Sequence, residues 1–514
     1  MADGFQRPLV DLVREVEERS PGLIVNASDV LAASASGSHA KNSEVVVTRV
    51  TQDSRNVSSG SIFCAIRGSS VDGHDYVNGA VASGAVAVLV EPAHAGSVDA
   101  GSAKDAIELH SNDTAKATGL LAGALFGFPA DDLSLVAVTG TNGKTSIVTI
   151  LSHIVNHCGG VAASMGTLTG SLTTAAAPDF HAALAGHRSD GASVVAAEVS
   201  SHALDQQRIA GATVAVAIFS NLTQDHLDYH DDMDDYFEAK ARPFAPEVGA
   251  VSVIDVSGPY GKRLAERVAD TAVEPARLVS VPGDAIAAAG VLSHGSSTFT
   301  WRNHEVVLPL GGSFSVNNAL LAAEAAVLLG FAEGDVADAL AVAEKVPGRF
   351  ESVDSGQPFG VVVDYSHTPA SISVAVASAR ALATGRVIIV FGAGGDRDAG
   401  KRPLMGEAAS SADRLYVTSD NPRTEDPAKI VDEVIAGIPD RSDVCRVIDR
   451  AEAISAAISD AHANDIVVIA GKGHENYQIM GTTRTDFDDR VHARAALAGL
   501  GFEAITTDPE VGGT

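Results

Sequence analysis

The chain has 514 residues, and its 36 Lys+Arg face 65 Asp+Glu, a formal net charge of −29. That shortage of cations argues against a sequence-independent nucleic-acid binder, which must displace counterions from phosphates, and against docking on an anionic membrane surface. With 46% hydrophobic residues the chain can bury cores rather than stay disordered, and at roughly 150 residues per domain its length predicts two to four of them.

The first residues, MADGFQRPLVDLVREVEERS, lack the basic-then-apolar pattern of a secretory signal. Cys64, Cys158 and Cys445 are far apart and in no zinc-type spacing, which fits a reducing cytosol better than a disulfide framework. No run approaches 18 uninterrupted apolar residues, so no membrane-spanning helix is expected. What recurs is an apolar β-branched run, a Gly- or Asp-rich turn and a helical pattern, which is the α/β signature.

A first unit, residues 1–131, carries strand-like runs at 44–50 and 85–90 and ends at an aromatic, proline and acidic junction, FGFPADD. A second, 132–346, has strand candidates at 133–139, 194–199, 214–219 and 251–255, and a strongly helical stretch at 317–329. The third, 347–514, alternates strands at 360–365, 387–391, 415–418, 444–448 and 466–470 with helices. Ligands of open parallel sheets bind beyond the carboxyl ends of the strands. The polar clusters 364–367, 392–402, 419–423 and 471–475 all follow strands and should therefore converge.

The strongest chemical signal is VTGTNGKTS at 138–146, between a strand and a helix. Gly140, Thr141, Asn142 and Gly143 would curl backbone N–H groups around phosphates, Lys144 would reach the β/γ-phosphates, and Thr145 and Ser146 would open the helix, with Thr145 on Mg²⁺. Position 138 is Val, so only the shorter GxxGKT form of the pattern is met. Glu198 ends a strand, and His226 lies in NLTQDHLDYH at 221–230; each could hold a metal or form a solvated polar turn. Lys240 by itself reads as an ordinary helix lysine. The segment GAGGDRDAGKR at 392–402 invites a dinucleotide-fold reading, but Arg397 stands where the last glycine should be, so NAD is rejected. Arginines there suit carboxylate or phosphate instead. In Asp420-Asn421-Pro422-Arg423 the proline stiffens the turn that aims Arg423. In GKGHE, Gly471 allows close approach and Glu475 could meet an ammonium.

Taken in order, DSR at 53–55, TGTNGKTS, EVSSH at 198–202, SNLTQDHLDYH, Lys240, PGR at 347–349, DYSHTP at 364–369, GGDRDAGKRPLM at 394–405, DNPR, GKGHENYQ and FDDR at 487–490 resemble the Mur ligase family, and within it the MurE type. Folylpolyglutamate synthetases share the TGTNGKT-like loop and the chemistry, but are not expected to carry the 394–405 or 420–423 segments.

The resemblance implies an α/β chain of three domains: an N-terminal α/β UDP-binding domain, a central P-loop-type ATPase with a parallel sheet, and a C-terminal Rossmann-like domain that admits the amino acid. It implies ATP and Mg²⁺, with Lys144, Glu198, His226 and Lys240 catalytic, and Thr145, Glu198, His226 and a carbamylated Lys240 around the metal. Asn318, Arg349 and Asp364 would meet the adenine, phosphate and ribose. The UDP-MurNAc-dipeptide would meet Gln52, Ser54, Ser69, Ser70, Val71, Thr173, Thr174, Ser200, Gln206 and Arg208. Arg397, Asp420, Asn421, Pro422, Arg423, Gly471 and Glu475 would take meso-diaminopimelate, whose second carboxylate would pair with Arg423. The implied reaction joins that amino acid to UDP-MurNAc-L-Ala-D-Glu through an acyl phosphate, in a cytoplasmic, monomeric ligase of peptidoglycan synthesis. The alternatives are the same ligation with L-lysine and a folate-type polyglutamate ligase.

Overall fold

The computed structural model describes residues 5–35, 45–68, 71–98, 106–170, 172–271, 278–281, 289–293, 295–440 and 443–502. Its N-terminal part is built on four parallel strands in the order Arg49–Thr51, Ser61–Cys64, Ala85–Val90 and Ile107–His110. The helix Leu9–Arg19 buries Leu9, Leu12, Val13 and Val16, the spacing of one helical face. The run expected as one strand at 44–50 divides. Val46–Val47 pairs antiparallel with Arg7–Pro8, whereas Arg49–Thr51 enters the parallel sheet; Glu44 lies outside the described residues.

This part is closely docked on the next. The helix Thr114–Leu125 packs on Ala177–Ser189, and at Gly119 any side chain would collide with the Ala210 carbonyl. His181 is fully buried at this junction and its Nε2 lies 2.8 Å from the Ala210 carbonyl oxygen, so Nε2 carries the proton. Burial lowers this imidazole to about 4, below the ordinary value near 6.5 that it regains on unfolding. The unfolded chain therefore binds a proton that the folded chain refuses. The stabilisation is complete above about pH 6.5 and is lost as pH falls toward 4, by roughly 3 kcal/mol from this group. Urea midpoints from pH 7 to 4 should fall less steeply in His181→Gln, which keeps a donor for Ala210 but does not titrate. Parallel curves would show that His181 is not the group responsible.

The central sheet has six parallel strands, ordered Leu278–Val281, Val251–Asp255, Val216–Phe219, Ser134–Thr139, Val194–Glu198 and Ala162–Met165. Ser134–Thr139 sits between strands that come later in the chain, so the residues after 139, 198 and 219 meet at one edge. The helical stretch expected at 317–329 runs Ser313–Leu328 and packs on Lys144–His157. A three-stranded antiparallel sheet, Ala289–Ser293, Ser296–Trp301 and His304–Leu308, was not expected. Its tight turn places Arg302 and Asn303 at φ 46° and 68°, and it buries the single Trp of the chain, Trp301, whose indole donates to Glu324 at 2.8 Å.

The C-terminal sheet is ordered Glu351–Ser352, Gly360–Asp364, Ile466–Ala470, Val387–Phe391, Arg414–Val417 and Val444–Arg446, and only its first pair is antiparallel. The strand expected at 444–448 stops at Arg446, an edge position. Among the described residues no helix is long and apolar enough to cross a membrane.

Candidate active site

The loop after Ser134–Thr139 is pinned by the neighbouring strand end. Asn221 accepts from the Asn142 N–H (3.0 Å) through its side chain and from the Thr141 N–H (2.9 Å) through its carbonyl. Ser220 Oγ donates to the Asn142 carbonyl at 2.5 Å. Gly143 takes φ 89° just before the helix, where a Cβ would come within 2.5 Å of Asn318 Oδ1. Asn318 thus abuts the loop, and the amino end of Lys144–His157 faces the same space, as an anion cradle requires. Asn221 was not singled out from sequence, because its task is to hold another segment and no spacing records that.

Two lysines point at one acceptor. Lys144 Nζ donates to the Gly140 carbonyl at 2.8 Å and to that of Thr141 at 2.9 Å, and Lys240 Nζ donates to Gly140 at 2.8 Å. Lys240 is 1% exposed. Burial and the adjacent Lys144 hold its amine well below the ordinary lysine value. Two ammonium groups on one carbonyl would repel, which disfavours the protonated form of the buried one. A lysine that reads as ordinary in sequence is therefore a sheltered one whose charge is disfavoured.

Glu198, the last residue of its strand, is 2% exposed. It accepts from Thr145 Oγ1 (3.1 Å), from the Thr167 N–H (2.9 Å) and from the Thr167 hydroxyl (3.2 Å). Thr167 is a second residue that sequence reasoning missed. Arg349 reaches over from the C-terminal part, donates to Thr145 Oγ1 at 2.9 Å and lies 4.3 Å from the Tyr365 ring centroid. His226 takes φ 55° and packs edge-on to His202 with centroids 5.0 Å apart. Burial lowers its imidazole to about 4 despite nearby Asp225, so it offers a neutral nitrogen near pH 7.

Asp364 is committed to its own surroundings: it accepts from the N–H of Phe350 (2.7 Å), the N–H of Ser366 (2.9 Å) and the Ser366 hydroxyl. These bonds tie down the segment that carries Arg349.

On the far side of Glu198, Ser200 caps the helix Ser201–Asp205. Arg208 donates to the Thr174 carbonyl at 2.7 Å and to Gln206 Oε1 at 2.8 Å. Thr174 Oγ1 bridges the Glu198 carbonyl (2.9 Å) and the Ser200 N–H (3.1 Å), and Thr173 lies 3.4 Å from the Thr167 hydroxyl. These five expected residues form one cluster. Gln52 and Ser54 follow the strand Arg49–Thr51, and Val71 follows Ser61–Cys64, at the carboxyl edge of the N-terminal sheet. Ser69 and Ser70 lie outside the described residues.

Asp72, His74 and His94, near Val71, bring possible ligand atoms within 4.8 Å of one another. The two rings stack 3.9 Å apart and 20° from parallel, and His74 is already shared between Asp72 and the Glu91 N–H. A metal must lie close to the plane of each imidazole it binds, so this group is a structural pairing.

The four strand-end clusters of the C-terminal part do converge. Together with Asp225 and His226 they line a cavity of about 1250 Å³ whose wall includes Arg397, Asp420, Asn421, Arg423, Gly471 and Glu475. Arg423 takes φ 52° and donates through Nη1 to the Gly395 carbonyl at 2.7 Å. Pro422 is absent from that wall; its carbonyl backs Gly395 from behind.

A Gly-rich loop at the start of a helix, with a buried lysine, a buried carboxylate and a cavity shared with a second α/β unit, defines a nucleotide-dependent enzyme of the three-unit α/β class. Known families agree with that assignment. Residues 46–124 match the Mur ligase family catalytic domain, 138–326 the Mur ligase middle domain and 348–473 the Mur ligase glutamate ligase domain. UDP-N-acetylmuramoyl-L-alanyl-D-glutamate--2,6-diaminopimelate ligase of Synechococcus sp. (strain WH7803) is 42% identical over 483 residues, covering 88% of this chain and 94% of that one. A solved structure titled with the same ligase name aligns with TM-score 0.64 and 32% identity over 95% of this chain and 99% of the other. Folylpolyglutamate synthase of Mycobacterium tuberculosis aligns with TM-score 0.57 at 19% identity over 68% of this chain and 91% of its own, a likeness of fold alone. The chain belongs to the Mur ligase family.

Proposed function

We propose that this chain is an ATP-dependent ligase that joins meso-diaminopimelate to UDP-MurNAc-L-Ala-D-Glu in peptidoglycan precursor synthesis, acting in the cytoplasm as a monomer with units 1–131, 132–346 and 347–514. The observation that carries the reading is Arg423, fixed at the wall of a cavity that also presents Asp420 and Glu475. An amino acid with a carboxylate and an ammonium at its far end matches that wall; L-lysine would leave the guanidinium unpartnered.

The substrate's γ-carboxylate attacks the γ-phosphorus of ATP, giving an acyl phosphate and ADP. The amine of diaminopimelate attacks the acyl carbon, phosphate leaves, and the nitrogen sheds its extra proton as the amide forms. The loop N–H groups and the start of the helix Lys144–His157 hold the phosphates. Lys144, bonded only to its own loop carbonyls, turns to the β/γ-phosphates when nucleotide enters. Arg349 brings the C-terminal part onto Thr145, so that the cavity wall and the phosphate-binding loop lie on neighbouring units. On the UDP-precursor side, Arg208 supplies the cation of the Thr173, Thr174, Ser200 and Gln206 cluster.

The Thr145 hydroxyl and Glu198 carboxylate, 3.1 Å apart, and the neutral His226 fit a hard divalent cation. Carbamylated Lys240 would add an oxygen anion to that set. Bound Mg²⁺ would supply neutralisation of the charge that develops on the transferred phosphoryl group.

Phosphate release by the purified chain with ATP, Mg²⁺ and UDP-MurNAc-L-Ala-D-Glu tests the reading. It should depend on meso-diaminopimelate and exceed the rate with L-lysine by at least about 10²-fold. Equal rates, or turnover with a folate in place of the UDP-dipeptide, would overturn it.

A further inference from the structure

Lys472 has no role in the reaction as drawn, yet it is 0% exposed directly behind the cavity wall. Its Nζ lies 3.2 Å from Asn421 Oδ1, 3.2 Å from Glu475 Oε2 and 3.6 Å from Asp420 Oδ1. A buried ammonium is costly unless nearby charges and acceptors repay its lost hydration, and here three wall residues do so. A second buried pair lies close by: Arg450 holds Asp489 through two bonds of 2.8 and 2.7 Å and donates to the Ala470 carbonyl at 2.9 Å.

The donors fix which atoms are left for a ligand. Asn421 Oδ1 receives both Lys472 Nζ and the Ile479 N–H (2.9 Å). Neither can accept, so the amide orientation is chemically determined, and Nδ2 must point the other way. It does, donating to Glu475 Oε2 at 3.0 Å. Glu475 Oε2 is thus held from two sides, and the Tyr477 hydroxyl also stands by this carboxylate. Asp420 Oδ1 is buried and makes no hydrogen bond; its charged neighbour is Lys472 Nζ at 3.6 Å, and its residue lines the cavity. Lys472 thus sits between two adjacent wall carboxylates, Asp420 and Glu475, and holds both from behind.

We infer that Lys472 is a positioning residue for the incoming amino acid: it locks Glu475 against Asn421 and offsets one of two adjacent carboxylates. The Asp420 and Glu475 carboxylates, both on the cavity wall, then receive one ligand ammonium. Without Lys472, the two adjacent carboxylates would lose the cation that bridges them and keep only the more distant Arg450, and Glu475 would turn away toward solvent.

The inference rests on the diaminopimelate reading. A wild-type chain without diaminopimelate-dependent turnover overturns both; the following comparison concerns Lys472 alone. In Lys472→Met, the KM for meso-diaminopimelate should rise about 30-fold or more, the size expected when one partner of a buried charge pair is removed. The kcat at saturation should fall less than about threefold, and the KM values for ATP and UDP-MurNAc-L-Ala-D-Glu should hold, because binding rather than chemistry is altered. An unchanged KM for diaminopimelate, or a parallel rise in all three KM values, overturns the inference. If Lys472→Met does not accumulate as folded protein, Lys472→Met/Glu475→Gln is read against Glu475→Gln. Asn421 is still oriented by Ile479 in both, so the double variant should match the single within about threefold in KM. A further rise of tenfold or more would mean that Lys472 does not act through Glu475.

Discussion

Lys240→Ala will lower ligase turnover by about 10³-fold, the scale on which removal of a preorganised charge from a phosphoryl-transfer site is felt, and will leave the urea midpoint close to that of the wild type. The two halves of that result have separate causes. The amine is buried, beside another lysine and on a carbonyl that Lys144 also occupies, so Gly140 keeps a donor when Lys240 is gone. No buried acceptor is orphaned, and stability changes little. Activity depends on what the amine can become. An amine in its neutral form adds CO₂ and releases a proton, which would turn an N–H donor into an oxygen anion beside Lys144 and the loop at Gly140. Intact-protein mass should show one added CO₂ on the wild type, sensitive to bicarbonate, and none on the variant. Full activity in Lys240→Ala, with bicarbonate without effect, would remove Lys240 from the mechanism.

The signals that sequence carried were those in which one residue type performs one local task. The loop 140–145 was legible because glycine, lysine and a hydroxyl are required at fixed offsets between a strand and a helix. The convergence of four strand-end clusters followed from the parallel topology, since every parallel strand presents its carboxyl end to the same edge. What escaped were residues whose partners lie far along the chain. Asn221 holds Asn142, 79 positions away; Thr167 holds Glu198, 31 away; and Lys472 holds Asn421, 51 away. An asparagine, a threonine or a lysine has many uses, and only the fold selects one. The sheet at 289–308 escaped for a different reason. Its Arg-Asn turn carries positive φ without glycine, so the usual hairpin marker is missing.

Arg423→Ala should abolish the preference for meso-diaminopimelate rather than abolish catalysis. The residue is held at three points, two on its backbone and one on its guanidinium, before any ligand arrives. The Arg423 N–H donates to the Ile479 carbonyl at 3.1 Å, the Arg423 carbonyl accepts from the Gly481 N–H at 2.7 Å, and Nη1 donates to Gly395 at 2.7 Å. The backbone bonds keep φ at 52°, a conformation a non-glycine residue leaves unless it is held. One N–H is committed to Gly395, and the remaining donors of the fork face a carboxylate with little ordering left to do. Loss of such a charge-assisted pair costs about 2–4 kcal/mol, or roughly 30- to 1000-fold in KM for meso-diaminopimelate. L-lysine has no second carboxylate to lose, so its slow rate should stay within about threefold of the wild type. The discrimination ratio then collapses from one side only. Arg423→Lys should recover part of the charge but not the two-pronged geometry, and so fall between the two. Competition assays that supply both amino acids at equal concentration read the ratio directly. If both substrates weaken together, Arg423 supports the wall as a whole, and the source of selectivity lies with Arg397 or with the Asp420–Glu475 pair.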